Sequence, residues 1–169
     1  KRAKLIAGVT GSHLHLHLHL LACDPRHDHT AYLDELRVTL EHEGYSVSAE
    51  QTWHDSLNDT LIRVQQAEGC GLVVKQHLPD NPLKRALLTP DDWKLLRYCP
   101  CPVLMVKTER SWQGGTILAA VDVGNADSEH RTLHASIVSH GFDIAALARA
   151  ELHVISAYPA PMLSAADPT

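Results

Sequence analysis

The sequence is poor in aromatic residues, in long apolar runs and in clustered positive charge. Phe, Trp and Tyr make up 5% of its 169 residues, so the core must be aliphatic. It contains no run of about 18 apolar residues, which is the length that a membrane-spanning helix needs. The formal net charge is -5 and Lys and Arg are not clustered, so neither a nucleic acid nor a bilayer surface is an expected partner.

Cysteine is also sparse. Four cysteines in a chain of this length do not predict a disulfide scaffold, and a reducing, cytoplasmic location is the default expectation. Cys99 and Cys101 flank Pro100, and a bridge across a single residue would be strained. This segment is therefore interpreted as a turn that leads into a buried strand.

Patterns typical of a catalytic triad are missing, although the chain has 13 histidines. His54, Asp55 and Ser56 are adjacent, and adjacent side chains cannot form the line of nucleophile, base and orienting acid that a triad needs. Helix capping by Asp55 or Ser56 is the better interpretation. The sequence also lacks a Gly-x-Ser-x-Gly elbow. We therefore expect a protein that is not an enzyme.

Strand and helix patterns alternate along the whole chain. Residues 1–10 are typical of the end of a helix, and residues 12–23 alternate His and Leu with the period of a strand. Alternation of this kind predicts an α/β fold, a doubly wound parallel sheet with right-handed helical crossovers. The further strands are predicted at 45–53, 71–75, 103–106, 116–123 and 152–158, and the helices at 30–43, 54–69, 89–98 and 128–148.

An internal similarity divides the chain into parts of two units. Residues 144–154 resemble residues 5–15, since both combine a helix end, a tight connection and a strand that carries histidine. We expect residues 1–110 to form a first unit that lacks its first strand and the start of its first helix. Residues 111–169 are expected to form a linker and the first strand, helix and strand of a second unit.

A first unit without its first strand would carry unpaired backbone groups along its sheet. One hypothesis is that the strand predicted at 116–123 fills that gap, and the alternative is that another chain supplies the missing edge.

Two segments carry a resemblance to a known family. Residues 87–107, LLTPDDWKLLRYCPCPVLMVK, resemble the C-terminal helix and strand of the universal stress protein family. Residues 112–122 are similar to the linker and the first strand of the second unit in tandem members of the E type. The resemblance covers nearly the whole chain, or about one and a half family units.

The resemblance implies a fold, a role and a ligand. The fold is the adenine-nucleotide alpha-hydrolase-like one, a five-stranded parallel sheet with helices on both faces, and members are often dimers or fused pseudo-dimers. The implied role is a stress-response binding or signalling module that acts through self-association or through a second unit of the same protein. Many members bind ATP.

The chain departs from the family at the phosphate loop. The family form is Gly-x2-Gly-x9-Gly-Ser/Thr after the fourth strand, where bare amides approach the anion. Here Gln76 and His77 follow the strand, and Thr89-Pro90 stands in place of Gly-Ser/Thr. Pro90 has no amide proton, and side chains at the glycine positions obstruct phosphate. We therefore expect no cofactor in the first unit.

Two alternative functions remain open. Asp122 matches the acidic residue that the family places near the adenine base, so a complete second unit is a candidate for binding ATP or another adenine nucleotide. The second alternative is a metal site on the histidine-rich strand, where imidazoles two residues apart lie roughly 6–7 Å from each other. Its candidate ligands are His15, His17 and His19. A strand with a polar outer face is favoured, because no carboxylate or Cys partner can be placed from the sequence.

Overall fold

A computed structural model of the chain describes residues 6, 16–76, 88–124 and 127–156. Within them the predicted strands and helices are confirmed, with differences at their ends. The helix predicted at 1–10, apart from residue 6, and the start of the first strand lie outside the described residues. The strands are β1 (His17–Ala22), β2 (Ser46–Gln51), β3 (Val73–Gln76), β4 (Val103–Val106), β5 (Thr116–Ala120) and β6 (Glu151–Ile155), and the helices are α1 (Thr30–His42), α2 (Leu57–Glu68), α3 (Pro90–Tyr98) and α4 (Ser128–Ala148).

The described strands pair in parallel. The chain divides into two compact units, Lys1–Glu109 and Arg110–Thr169. In the first unit β1 pairs with β2 and β3 pairs with β4, and in the second unit β5 pairs with β6. Among the described residues, the chain between the strands of each pair contains a helix, namely α1, α3 or α4. Because parallel neighbours need such a helical crossover, the prediction of an α/β fold is confirmed.

A cavity of about 880 Å³ lies along β1 in the first unit. It is lined by residues 16–24 without interruption and, across from them, by residues 68–72 and Val74. Successive side chains of a strand point to opposite faces of the sheet. A cavity that contacts every residue of the strand therefore lies along the strand's edge. Among the described residues, β1 pairs with β2 alone and β3 with β4 alone, so the edges toward this cavity carry no strand partner.

The hypothesis that the strand predicted at 116–123 fills the gap in the first unit is wrong. β5 pairs with β6 over five residues, from Thr116 opposite Glu151 to Ala120 opposite Ile155. This pair forms a sheet separate from that of β3 and β4. The strand β5 finds its partner through the crossover helix that directly follows it, which costs less chain entropy than a pairing with a distant strand.

Helix ends follow the predicted local chemistry. The Ser56 side chain caps α2 by accepting a hydrogen bond from the Asp59 backbone N–H at 3.1 Å, which confirms the capping interpretation. At its other end, α2 stops at Gly69 with φ of 63°. Cys99 is the C-terminal cap of α3, and its Sγ lies 3.8 Å from that of Cys101 across the turn into β4.

The core is aliphatic, as the composition predicts. Its buried apolar side chains include Leu33 on α1 and Val64 on α2. The side chain of Leu95 on α3 is completely buried. In the second unit α4 lies so close to its sheet that a Cβ on Gly141 would be 3.0 Å from Leu152 Cδ1. None of the described helices is long and apolar enough to cross a bilayer.

Candidate functional site

The predicted phosphate-loop positions fall at the end of β3 and at the start of α3. Gln76 is the last residue of β3 and is exposed, and His77 lies outside the described residues. Thr89 is the N-terminal cap of α3, and Pro90 is its first residue. The described ends of the loop therefore lie at regular elements, and α3 starts where the helix at 89–98 was predicted.

A buried ion pair joins these two elements. Lys75 Nζ, on β3, lies 2.6 Å from Asp92 Oδ1, in the first turn of α3. The Asp92 side chain is completely buried and that of Lys75 is 14% exposed. Burial would raise the pKa of Asp92, but hydrogen bonds from Lys75 and Thr89 outweigh it and hold this pKa below its ordinary value. A carboxylate that is charged at neutral pH thus lies at the helix N-terminus, where the helix dipole favours an anion.

A capping box occupies the amides at the same helix start. The Thr89 N–H donates to Asp92 Oδ2 at 2.8 Å, and the Asp92 N–H donates to Thr89 Oγ1 at 3.2 Å. A helix start leaves four N–H groups without an intrahelical partner. Here two of the four are bonded within the box, and Pro90 supplies none. The remaining N–H group belongs to Asp91, whose exposed carboxylate would repel an approaching phosphate.

In the second unit, Asp122 lies just beyond the carboxyl end of β5. Its backbone N–H donates to His134 Nε2 on α4 at 3.3 Å, and its Oδ1 accepts from the Gly124 N–H at 3.0 Å. The carboxyl ends of parallel strands are where α/β proteins usually bind ligands. The location of Asp122 agrees with what the family resemblance implies, and its role in nucleotide binding stays a prediction.

The histidine face of β1 meets serines on β2. His17 lies opposite Ser46 and His19 opposite Ser48 in the parallel register. His17 Nδ1 is 2.8 Å from Ser46 Oγ, and its Nε2 is 2.7 Å from Ser48 Oγ. The same Ser48 hydroxyl is 2.7 Å from His19 Nδ1. Hydrogen bonds to serines therefore occupy both ring nitrogens of His17 and Nδ1 of His19. His19 Nε2 is buried without a hydrogen-bond partner, and His15 lies outside the described residues.

His19 also departs from the predicted polar outer face. Its side chain is only 7% exposed, and Glu50 Oε1 and Glu68 Oε2 lie 3.4 and 3.7 Å from its ring nitrogens. Glu50 comes from β2 and Glu68 from the last residue of α2, so the carboxylates that could not be placed from the sequence reach His19 through tertiary packing.

Sequence reasoning missed a cluster directly after β1. Asp24 Oδ2 accepts hydrogen bonds from His27 Nδ1 at 2.8 Å and from His29 Nε2 at 3.1 Å. Asp24 Oδ1 accepts from the Arg26 N–H at 2.8 Å. The Arg26 hydrogen bond, followed by those of the two histidines, holds the pKa of Asp24 well below its ordinary value. The sequence carries the signal as Asp-x-x-His-x-His after a strand, but the neighbouring Leu-His repeat is the more regular pattern.

Comparisons with known proteins agree with this fold. The model of the universal stress protein family matches residues 15–107. Universal stress protein E of Escherichia coli K12 is 30% identical over 131 residues, which are 77% of this chain and 42% of that protein. The homologue from Haemophilus influenzae is 33% identical over 117 residues, or 68% of this chain and 38% of its own length. The chain therefore spans less than half the length of these curated relatives.

Solved structures give the same result at higher identity. A crystal structure from Pseudomonas aeruginosa UCBPP-PA14, assigned to the universal stress proteins, is 68% identical and has a TM-score of 0.83. It matches 95% of this chain, which covers 56% of that structure. A Pseudomonas aeruginosa PAO1 protein of unknown function is 67% identical with a TM-score of 0.82. The chain therefore belongs to the universal stress protein family, as a member of its E type.

Proposed function

We propose that the chain is a non-catalytic binding or signalling module of the stress response, and that its first unit does not bind ATP through the family loop. The observation that carries this proposal is the buried pair of Lys75 and Asp92 beneath the capping box of Thr89. Lys75 and two of the helix-start N–H groups, which would otherwise meet a phosphate, already have an anionic or hydroxyl partner within the protein.

A phosphate would have to compete with Asp92 for Lys75. For a phosphate to use Lys75 Nζ, the 2.6 Å contact with Asp92 must open and leave a fully buried carboxylate without its partner. Removing one partner of a buried ion pair costs about 3–5 kcal/mol. A cost of that size weakens binding by a factor of roughly 100 to 5,000, which would move a micromolar Kd to about 0.1–5 mM.

Nucleotide binding by the whole chain tests the proposal. Thermal unfolding is measured with Mg²⁺-ATP up to the millimolar range, with Mg²⁺ alone as the control. We expect the same Tm in both. Saturating a site to one hundred times its Kd would raise the Tm by roughly 5–10 °C in a chain of this size.

A variant identifies the unit responsible for any stabilisation. If ATP raises the Tm of the wild type, the titration is repeated with Asp122→Ala. Stabilisation that persists in this variant would place ATP in the first unit and contradict the proposal. Stabilisation that disappears would support the second candidate function, which is ATP binding by the unit that contains Asp122.

The second candidate has one favourable observation. Asp122 lies at the carboxyl end of β5 with its backbone N–H bonded to His134 and its Oδ1 to the Gly124 N–H. This arrangement orients the loop that follows the strand. The metal alternative on His15, His17 and His19 is not carried forward. Serine hydroxyls bond both nitrogens of His17 and Nδ1 of His19, and among the described residues the ligand atoms close enough for one ion belong to a different group.

Association with another unit of the same kind, by self-association or within one longer protein, completes the proposal. It is supported by apolar side chains at the surface of α3, where Trp93 is 62%, Leu96 41% and Tyr98 64% exposed. We place this activity in the cytoplasm, in keeping with four cysteines that are all unpaired.

A further inference from the structure

The loop between β1 and α1 brings three potential metal ligands together. Asp24 Oδ2 is 2.8 Å from His27 Nδ1 and 3.1 Å from His29 Nε2. Among the described residues, these three side chains form a group whose ligand atoms all lie within 4.8 Å of one another. The histidines come from one short loop, and Asp24 directly follows Cys23 at the end of the strand.

One glutamine side chain holds the backbone of all three residues. Gln51 Nε2, at the end of β2, donates to the Asp24 carbonyl at 3.0 Å and to the His27 carbonyl at 2.7 Å. Gln51 Oε1 accepts from the His29 N–H at 2.6 Å. The loop is therefore fixed to the neighbouring strand at each of its three ligand-bearing positions, so that much of the ordering cost of a metal site is met by the fold itself.

We infer that Asp24, His27 and His29 form a binding site for a first-row transition-metal dication, for which Zn²⁺ has the best-matched chemistry. Two imidazoles and one carboxylate are a ligand set that Zn²⁺ and its neighbours accept, whereas Mg²⁺ and Ca²⁺ require oxygen ligands. In a tetrahedral Zn²⁺ site, bonds of about 2.0–2.1 Å separate ligand atoms by roughly 3.3 Å. The observed spacings of 2.8 and 3.1 Å need to open only slightly.

The proton balance of binding follows from the hydrogen bonds. A neutral imidazole has one N–H, which both histidines here direct at Asp24 Oδ2. When the ion binds, that proton moves to the other ring nitrogen, Nε2 of His27 or Nδ1 of His29, and the vacated lone pair coordinates the metal. Asp24 stays charged and keeps its Oδ1 on the Arg26 N–H. The side chains of His27, His29 and Asp24 are 72, 38 and 33% exposed, so water can take the fourth position.

Zn²⁺ binding by the tag-free chain tests this inference. Isothermal titration measures the tightest site, and Co²⁺ absorption reports a low-symmetry site with nitrogen and oxygen ligands. We expect His27→Gln and His29→Gln each to lower the affinity of this site at least tenfold. His42→Gln, which changes an exposed histidine at the end of α1, is the matched control and leaves it unchanged. His29 makes no side-chain capping bond to α1, so its substitution does not remove a helix cap.

A second variant tests the positioning role of Gln51 with all three ligands intact. Gln51→Leu should weaken Zn²⁺ binding by about tenfold and alter the Co²⁺ spectrum, as changes outside the ligand shell commonly do. Gln66→Leu, at an exposed position on α2, is its control and should change neither. Zn²⁺ affinity that is unchanged in both His27→Gln and His29→Gln overturns the inference, as does a tight site lost with His15→Gln and His17→Gln but retained with the loop variants.

Discussion

Asp92 shows how one side chain can combine several structural roles. Its carboxylate accepts from Lys75 Nζ and from the Thr89 N–H, while its own N–H donates to the Thr89 hydroxyl. The pattern Thr-Pro-Asp-Asp at residues 89–92 is typical of a helix start with acids in its first turn. It did not indicate which acid would be buried, because that depends on where Lys75 of β3 lies.

Replacing Asp92 by Asn should destabilise the protein. The amide oxygen can still accept from Thr89, but Lys75 loses its countercharge in a site where Asp92 is fully buried. We expect the free energy of unfolding to fall by about 3 kcal/mol, as for other buried ion pairs that lose one partner. Urea denaturation measures this change.

Asp91→Asn is the matched control for that experiment. Asp91 precedes Asp92 in the same helical turn, is exposed, and contacts the Asn58 amide at 3.4 Å. Its loss should cost less than about 1 kcal/mol, mostly through the helix dipole. Equal losses for the two variants would show that the ion pair with Lys75 adds no stability.

At the scale of elements, the connection from α2 to β3 contains two glycines, Gly69 and Gly71, and only the first is required by the backbone conformation. Gly69 ends α2 with φ of 63°, in the left-handed region. Gly71, two residues later, is not in that region, and a Cβ built on it would have nothing within 4 Å. Glycine is therefore required at the helix end and optional before the strand.

Alanine substitutions at these two glycines should have different effects. Gly69→Ala forces an L-residue into the left-handed region and should cost about 1–2 kcal/mol of stability. Gly71→Ala should be neutral or slightly stabilising, because it lowers the entropy of the unfolded chain. Thermal unfolding of the two variants measures this difference. A larger loss of Tm for Gly71→Ala than for Gly69→Ala would contradict the assignment.

For the whole molecule, stability should depend on pH through its carboxylates. Burial raises the pKa of Asp92, but the hydrogen bonds from Lys75 and Thr89 lower it by more, so this pKa lies below its ordinary value. The pKa of Asp127 is lowered chiefly by the hydrogen bond from the His130 backbone N–H. A group whose pKa is lower in the folded state contributes stability that is fully present above its unfolded pKa, about 3.9 for Asp. That contribution is lost as the pH falls through the folded pKa.

We therefore expect the free energy of unfolding to decrease as the pH falls from about 5 toward 3. The decrease should be smaller in Asp92→Asn, since the variant has no proton to bind at that position. Urea denaturation at a series of pH values measures both slopes. Identical slopes for wild type and variant would show that Asp92 does not contribute to the acid sensitivity.

The sequence by itself determined which segments are strands and helices, and hence the α/β fold. Those signals are local. The alternation of His and Leu from His17 to Leu20 and the helix start at Thr89-Pro90 each depend on residues that are only a few positions apart in the sequence. Only the tertiary structure decided the contacts of the candidate sites. The contact of Ser48 with His19 and that of Gln51 with the loop of Asp24 both depend on the register of β1 with β2. That register depends on tertiary packing, in which α1, the helix that connects the two strands, contacts both of them.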